Sequence, residues 1–232
     1  MPASTLRPYL PIALLGPIFA IVGFWASYYG KLLSGTVTTP TLIQIHAAIF
    51  VGWLVLVIAQ AALAATGRMA WHMRVGNLGF IYGAGVIVVG LAAALWSFQM
   101  HLRTGNHQRA ADSLFVGLTD MLTFAPFLAA AWFFRGRPEL HKRLIMVATT
   151  ILLIAPVHRM HWFLGRPAPL AAILAIWLAP IYLGMAYDFA TRRLVHPVHL
   201  LGILAVLYMK FLRPLLHDTG MWRSFEAWML TT

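Results

Sequence analysis

The chain has 232 residues, of which 61% are hydrophobic and only 10% are charged, and its mean hydropathy is +0.78. About a quarter of the residues in a soluble globular domain are charged, so this composition excludes that class and indicates an integral membrane protein. The net charge of +11 comes from basic residues scattered between apolar runs, where loop charges orient membrane spans, and a nucleic-acid partner is not expected. Cysteine is absent, which excludes disulfides, thiolate metal sites and cysteine nucleophiles.

Seven apolar runs follow one another along the chain, most of them long enough to cross a hydrocarbon core of ~30 Å as a helix. We place them at residues 8–29, 41–66, 77–99, 113–134, 143–163, 168–190 and 197–213. Short polar loops join the runs, and short loops make neighbouring helices antiparallel. The prediction is an all-α polytopic membrane bundle with seven transmembrane helices, forming a single domain over residues 1–232.

The second run, at residues 41–66, carries polar side chains along one stripe. His46, Trp53 and Gln60 are spaced by seven residues, which keeps them near one face of a helix. A polar stripe in a lipid-embedded helix must face protein or water, because an unpaired polar group in hydrocarbon is energetically costly. We therefore predict that this helix turns His46 into the bundle.

Polar residues from three runs are predicted at one depth, in the half of the bundle opposite the N terminus. His46, Asp120 and His158 each lie roughly 8–11 Å inside a helix end at ~1.5 Å per residue. Two facing imidazoles, His46 and His158, would ligate the iron of haem b. Alternatively, His46, Asp120, His158 and His161 would together hold a divalent metal such as zinc or iron. The remaining alternative pairs Asp120 with Arg159 and leaves the histidines as hydrogen-bonding groups between helices.

A second polar group lies at the ends of the runs on the N-terminal side, in three sequence motifs. These are WHMRVG at 71–76, RPELHKRL at 137–144, and YD at 187–188 followed by HPVH at 196–199. Four of their residues are predicted to converge on a ligand with anionic groups or on a metal: His72, His141, Asp188 and His196. The alternative is that they anchor helices at the interface and bind lipid phosphate. Pro138 and Glu139 suit a first helical turn, so RPELHKRL is also predicted to begin the fifth helix.

The three motifs, in this order and at these helix boundaries, resemble a widespread bacterial family of multi-pass membrane proteins whose function is not established. The resemblance covers about residues 43–202 and implies a multi-pass helical fold without a particular activity. A fainter similarity is to transmembrane two-haem cytochromes, through His46 near one face and His72 near the other. That similarity implies haem between helices, but His72 and His141 are predicted in or beside loops. The similarity to zinc-dependent seven-helix hydrolases is fainter still, because the spacing of His196 and His199 does not match the spacing of the final histidine pair in those enzymes.

The last residues, 215–232, form a tail whose apolar side chains share one helical face, which predicts a short amphipathic helix in the membrane interface. The densest basic loop, at residues 135–143, lies on the N-terminal side. Because cytoplasmic loops carry an excess of Lys and Arg, we predict a bacterial inner-membrane protein with a cytoplasmic N terminus.

Three functions are compatible with these patterns. The first is a haem- or metal-binding redox protein with a histidine-lined intramembrane site. The second is a zinc- or iron-dependent membrane hydrolase or oxidase. The third is a non-catalytic membrane subunit, or a protein that binds lipid or a small molecule. The expected partners are membrane lipid and a small apolar or quinone-like ligand.

Overall fold

The computed structural model describes residues 9–165, 168–217 and 219–231, and these residues form helices and turns without a β-strand. Seven helices in this part of the chain are long and apolar enough to cross a membrane. We number them in chain order as α1 Tyr9–Leu33, α2 Thr41–Ala65, α3 Met69–Arg103, α4 His107–Phe133, α5 Pro138–Arg159, α6 Leu170–Arg192 and α7 Pro197–His217. A further helix, α8 Gly220–Thr231, follows them. The predicted all-α membrane bundle with seven candidate spans is confirmed.

Helix α3 is much longer than the apolar run that predicted it, because polar residues continue the helix at both ends. The runs predict polar loops over residues 67–75 and 100–113, and both loops are much shorter in the structure, since α3 begins at Met69 and α4 begins at His107. The true connections turn at Gly67 and Gly105, whose φ angles of 75° and 72° favour glycine after a helix end. His72 therefore lies on the fourth residue of a helix and not in a loop.

Helix α5 forms the centre of the bundle. In its apolar window 72% of the residues are buried, against 33% or less in every other span. It begins at Pro138, as predicted, and is interrupted at Leu153 before continuing as Ile154–Arg159. Pro156 explains the break, because its nitrogen cannot donate a hydrogen bond to the carbonyl four residues earlier.

The remaining helices pack around α5 in a pattern that leaves a space. Helices α2, α3, α4 and α5 are consecutive neighbours, and α6 and α7 pack on the other side of α5. Helix α1 packs on α2 and on the Ile154–Arg159 segment of α5, but it barely touches the segment Pro138–Leu152. We call the end of the bundle where α1, α3, α5 and α7 begin the N-side.

Helix α8 packs at the opposite end of the bundle. Its Trp222 is buried and contacts a cluster formed by Phe98 of α3 with Leu114 and Phe115 of α4. The prediction that the tail forms a helix is confirmed, and the placement of this helix in the membrane interface remains a prediction.

Candidate ligand-binding cavity

A cavity of about 550 Å³ lies between α1, α2, α3 and the first segment of α5. The side of α5 that lines it follows the helical repeat from end to end: Pro138, His141, Lys142, Ile145, Met146, Thr149, Thr150 and Leu153. At ~1.5 Å per residue this stripe is about 22 Å long. The cavity is therefore elongated along the bundle and extends from the N-side into its interior.

Most of the cavity wall is apolar. Helix α1 contributes Ile12 and Ala13, and α2 contributes Leu56 and Val57. Two polar groups halfway along are paired with each other, since Trp53 Nε1 donates to Thr149 Oγ1 at 3.3 Å. Beyond its N-side end the cavity thus offers a ligand mainly hydrophobic contact.

The N-side end of the cavity is polar and is built around two histidines. His72 and His141 occupy the fourth positions of α3 and α5, and their ring centroids lie 6.3 Å apart with ring planes at 88°. His141 Nδ1 lies 3.0 Å from the backbone carbonyl of Ala131. A carbonyl only accepts, so Nδ1 of His141 carries the hydrogen and its Nε2 keeps a lone pair.

Gln60 of α2 fixes the other histidine. When its amide NH₂ faces His72, it donates to the His72 carbonyl at 2.9 Å and to His72 Nδ1 at 2.8 Å, and its oxygen accepts from the Gly76 N–H at 3.2 Å. The backbone carbonyl of Gln60 also lies 3.2 Å from His72 Nδ1, and a protonated Nδ1 would donate to it. The amide orientation satisfies more groups, so we assign the hydrogen of His72 to Nε2. The Nε2 atom of His72 can then donate a hydrogen bond to a ligand, and the Nε2 atom of His141 can accept one.

Tyr9 and Lys142 complete the polar end. Tyr9 is only 8% exposed, and its hydroxyl has no hydrogen-bond partner among the described residues. The ammonium group of Lys142 lies 4.9 Å from the centroid of the Tyr9 ring and 3.0 Å from Glu139 Oε1. Buried hydroxyls normally have a partner, so the unpaired Tyr9 group is a position that a ligand oxygen would satisfy.

Behind this end lies a buried ionic network that joins α5, α6 and α7. Arg143, Asp188 and His199 are all completely buried. Arg143 donates through two nitrogens to the carboxylate of Asp188, with Nε at 2.8 Å from Oδ2, and His199 Nε2 lies 2.9 Å from the same oxygen. Glu139 accepts from Arg143 at 2.7 Å and also pairs with Lys142 and Arg192. The network fastens three helices together at the N-side.

The predicted convergence of His72, His141, Asp188 and His196 is therefore only half realised. His72 and His141 meet at the cavity, whereas the structure commits Asp188 to Arg143 and His199. His196 precedes α7 and caps it, because the Val198 N–H donates to His196 Nδ1 at 3.3 Å. Burial, and then the positive charge of Arg143, hold the pKa of His196 below its ordinary value.

The second predicted site, on the opposite side, is not assembled. Asp120 forms an ion pair with Arg213 of α7, so its predicted alternative pairing with Arg159 is wrong. The His46 ring packs on Phe50 of its own helix at 4.2 Å between centroids. Over residues 9–165, 168–217 and 219–231, no three His, Asp or Glu side chains are grouped to hold a metal ion.

His158 and His161 also make local contacts. His158 Nδ1 donates to the Ile154 carbonyl at 3.0 Å, and its ring lies edge-on to Trp177 with centroids 5.9 Å apart. His161 Nδ1 lies 3.4 Å from the His158 carbonyl, within the same turn. These contacts do not join His158 to His46, so the geometry supports neither the haem pair nor the four-residue metal set at this end.

Sequence reasoning overlooked Tyr9 and Lys142. The stripe of residues spaced by seven on α2 correctly indicated a side of the helix that faces the cavity, because Trp53 and Gln60 line the cavity. His46, the third residue of the stripe, does not line it. A usable signal for Lys142 was the stripe on α5, where lining residues recur every three or four positions. Tyr9 gave no comparable signal, because many spans begin with an aromatic residue.

No protein-family model, curated protein or solved structure matches this chain. The resemblance of its three motifs to the bacterial multi-pass family therefore stays a prediction.

Proposed function

We propose that this membrane protein binds a long-chain amphiphile, with the polar head at the histidine end of the cavity and the apolar chain along α5. The observation that carries the proposal is the distribution of polar groups in the cavity. His72, His141, Lys142 and Tyr9 gather at one end with the exposed Arg135, and the rest of the wall is mostly apolar, with Asn77 as an exposed polar residue of α3. An elongated space with one polar end complements a molecule with one polar end.

The dimensions of the cavity support a chain-like ligand. Its lining stripe of about 22 Å exceeds one leaflet, which is half of a ~30 Å hydrocarbon core. A volume of about 550 Å³ falls within the range of small-molecule sites. Long-chain molecules of this kind, including lipids and quinone-like compounds, dissolve in the bilayer that surrounds the protein.

Filling the cavity tests the proposal. Ala61 lines the cavity on α2, whereas Val55 of the same helix is 57% exposed toward the surroundings of the bundle. We expect Ala61→Phe to lower the amount of co-purified long-chain ligand several-fold, as measured by mass spectrometry of organic extracts. Val55→Phe is the matched control and should retain wild-type levels. Equal ligand content in the two variants would contradict binding in the cavity.

Haem b is a second candidate for the same end, and the histidine spacing favours it. Two imidazoles bound through Nε2 to one metal at ~2.0 Å place their ring centroids roughly 6 Å apart, and His72 and His141 are 6.3 Å apart. We rank it second because the Gln60 amide places the hydrogen of His72 on Nε2, the atom that would have to bind iron. A Soret band that appears on haem addition and disappears in His141→Ala would establish it, and no band in the wild type would exclude it.

A further inference from the structure

We propose that the head of the amphiphile is an anion, a carboxylate or a phosphate, and that Lys142 and Tyr9 recognise it. This inference rests on the proposed binding of an amphiphile in the cavity and adds the chemical class of its head.

The first argument is the balance of charge behind the polar end. Three cations, Lys142, Arg143 and Arg192, share two carboxylates, Glu139 and Asp188. The ionic network thus carries one positive charge in excess. The Arg192 side chain is 39% exposed, so solvent screens part of this charge. The net positive charge that remains at the cavity end favours a negative partner.

The second argument is that Lys142 is the cation placed to meet this partner. Its side chain is only 8% exposed and lines the cavity, whereas the Arg143 guanidinium is directed to Asp188 and Glu139. The other cation in the lining, Arg135, is exposed and stacks its guanidinium on the Trp132 ring at 3.9 Å from the centroid. If Lys142 turns toward a ligand, Glu139 keeps its contacts with Arg143 and Arg192. The network can therefore give up Lys142 to a ligand without leaving a carboxylate unpaired.

The third argument is the set of hydrogen-bond donors. Lys142 has three N–H bonds and its ammonium has a single carboxylate contact, with Glu139. The Tyr9 hydroxyl has no partner in the described part of the chain, and its ring lies directly beside the Lys142 ammonium. Carboxylates and phosphates present several acceptor oxygens at once, so one head group can accept from both residues. A neutral carbonyl would accept hydrogen bonds but would bring no negative charge to the Lys142 ammonium.

The test compares a long-chain fatty acid with its methyl ester, which has the same chain and no charge. Both are radiolabelled and bound to the detergent-solubilised full-length protein at neutral pH. We expect the wild type to bind the acid at least about tenfold more tightly than the ester, the scale of a hydrogen bond to a charged group. A long-chain alkyl phosphate in the same assay distinguishes the two anions, and the tighter binder identifies the head.

Variants assign the preference to residues. Lys142→Gln should abolish the acid-over-ester ratio while ester binding is retained, and Lys142→Arg should preserve the ratio because it keeps the charge. Tyr9→Phe should weaken acid binding through loss of one donor. Lys31→Gln, an exposed lysine at the opposite end of the bundle, is the control and should behave as wild type.

The outcomes separate this inference from the proposed function. Equal wild-type affinities for acid and ester would overturn the anionic head and leave amphiphile binding in place. An unchanged ratio in Lys142→Gln would overturn the role of Lys142. Binding of neither probe would overturn both proposals.

Discussion

Arg143 and Asp188 form an ion pair in which both side chains are completely buried and are joined by two hydrogen bonds. Because burial makes an unpaired charge expensive, removing one partner costs more than removing both. We expect Asp188→Asn to destabilise the protein by about 3–5 kcal/mol. The double variant Arg143→Met/Asp188→Leu should lose less than Asp188→Asn alone. Denaturant unfolding in detergent micelles measures the difference, and additive losses would contradict strong coupling of the pair.

His196 predicts a specific pH dependence of stability. Burial and the nearby Arg143 lower its pKa in the folded protein, so the folded state binds this proton less readily than the unfolded chain. The stabilising contribution of neutral His196 is thus complete above the unfolded pKa of about 6.5, and it is lost as the pH falls through the lower folded value. The charges of Asp188, Glu139 and Arg192 also act on this imidazole.

A capping variant isolates the contribution of His196. Asn caps helices well, so His196→Asn keeps an acceptor for the Val198 N–H while removing the titration. Thermal unfolding measured across a pH series should show a shallower loss of stability for His196→Asn than for the wild type below about pH 6.5. Identical slopes would show that His196 does not contribute.

Helix α1 packs closely against α5 at a glycine, Gly23. A Cβ added at Gly23 would lie 2.2 Å from the Pro156 carbonyl oxygen, a backbone atom that cannot rotate away. Gly85 of α3 provides a matched control, because nothing lies within 4 Å of its added Cβ. We expect Gly23→Ala to cost about 1–3 kcal/mol by forcing the helices apart. Gly85→Ala should be neutral or slightly stabilising, since alanine favours helix. Melting temperatures in detergent compare the two variants.

The elements also show which features the sequence could predict. Hydropathy located all seven spans, and Pro138 with Glu139 marked the start of α5, because these signals are local. Hydropathy did not find the helix ends at Met69 and His107, where polar residues extend helices beyond the apolar runs. Backbone hydrogen bonding determines those ends, and it does not require apolar side chains.

The candidate site was harder to predict because it depends on how the helices are rotated and which of them are neighbours. Residue counting gave the depths of His46, Asp120 and His158, but depth alone does not decide which side chains meet. Asp120 pairs with Arg213 of α7, which lies 93 residues later in the chain. The pairing of His72 with His141 required α3 and α5 to approach at the N-side, which no local pattern records.

Seven candidate spans place the start of α1 and helix α8 at opposite ends of the bundle. The N-side includes Thr66, the residue after α2, whereas Ser34, after α1, and Ser224 of α8 lie at the other end. All three side chains are exposed. Since the chain has no cysteine, each of these positions can carry a single cysteine as a unique label.

Single cysteines then report orientation and span number together. With the N-side in the cytoplasm, as the basic loops predict, Ser34→Cys and Ser224→Cys should react with a membrane-impermeant maleimide in intact spheroplasts. Thr66→Cys, matched to Ser34 as a residue that ends a helix, should react only after the membrane is permeabilised. The reverse pattern would invert the predicted orientation and place the polar end of the cavity on the outer face. Labelling of Ser224→Cys and Thr66→Cys from the same side would rule out an odd number of membrane crossings between them, and with it the spanning role of at least one of the helices α3 to α7.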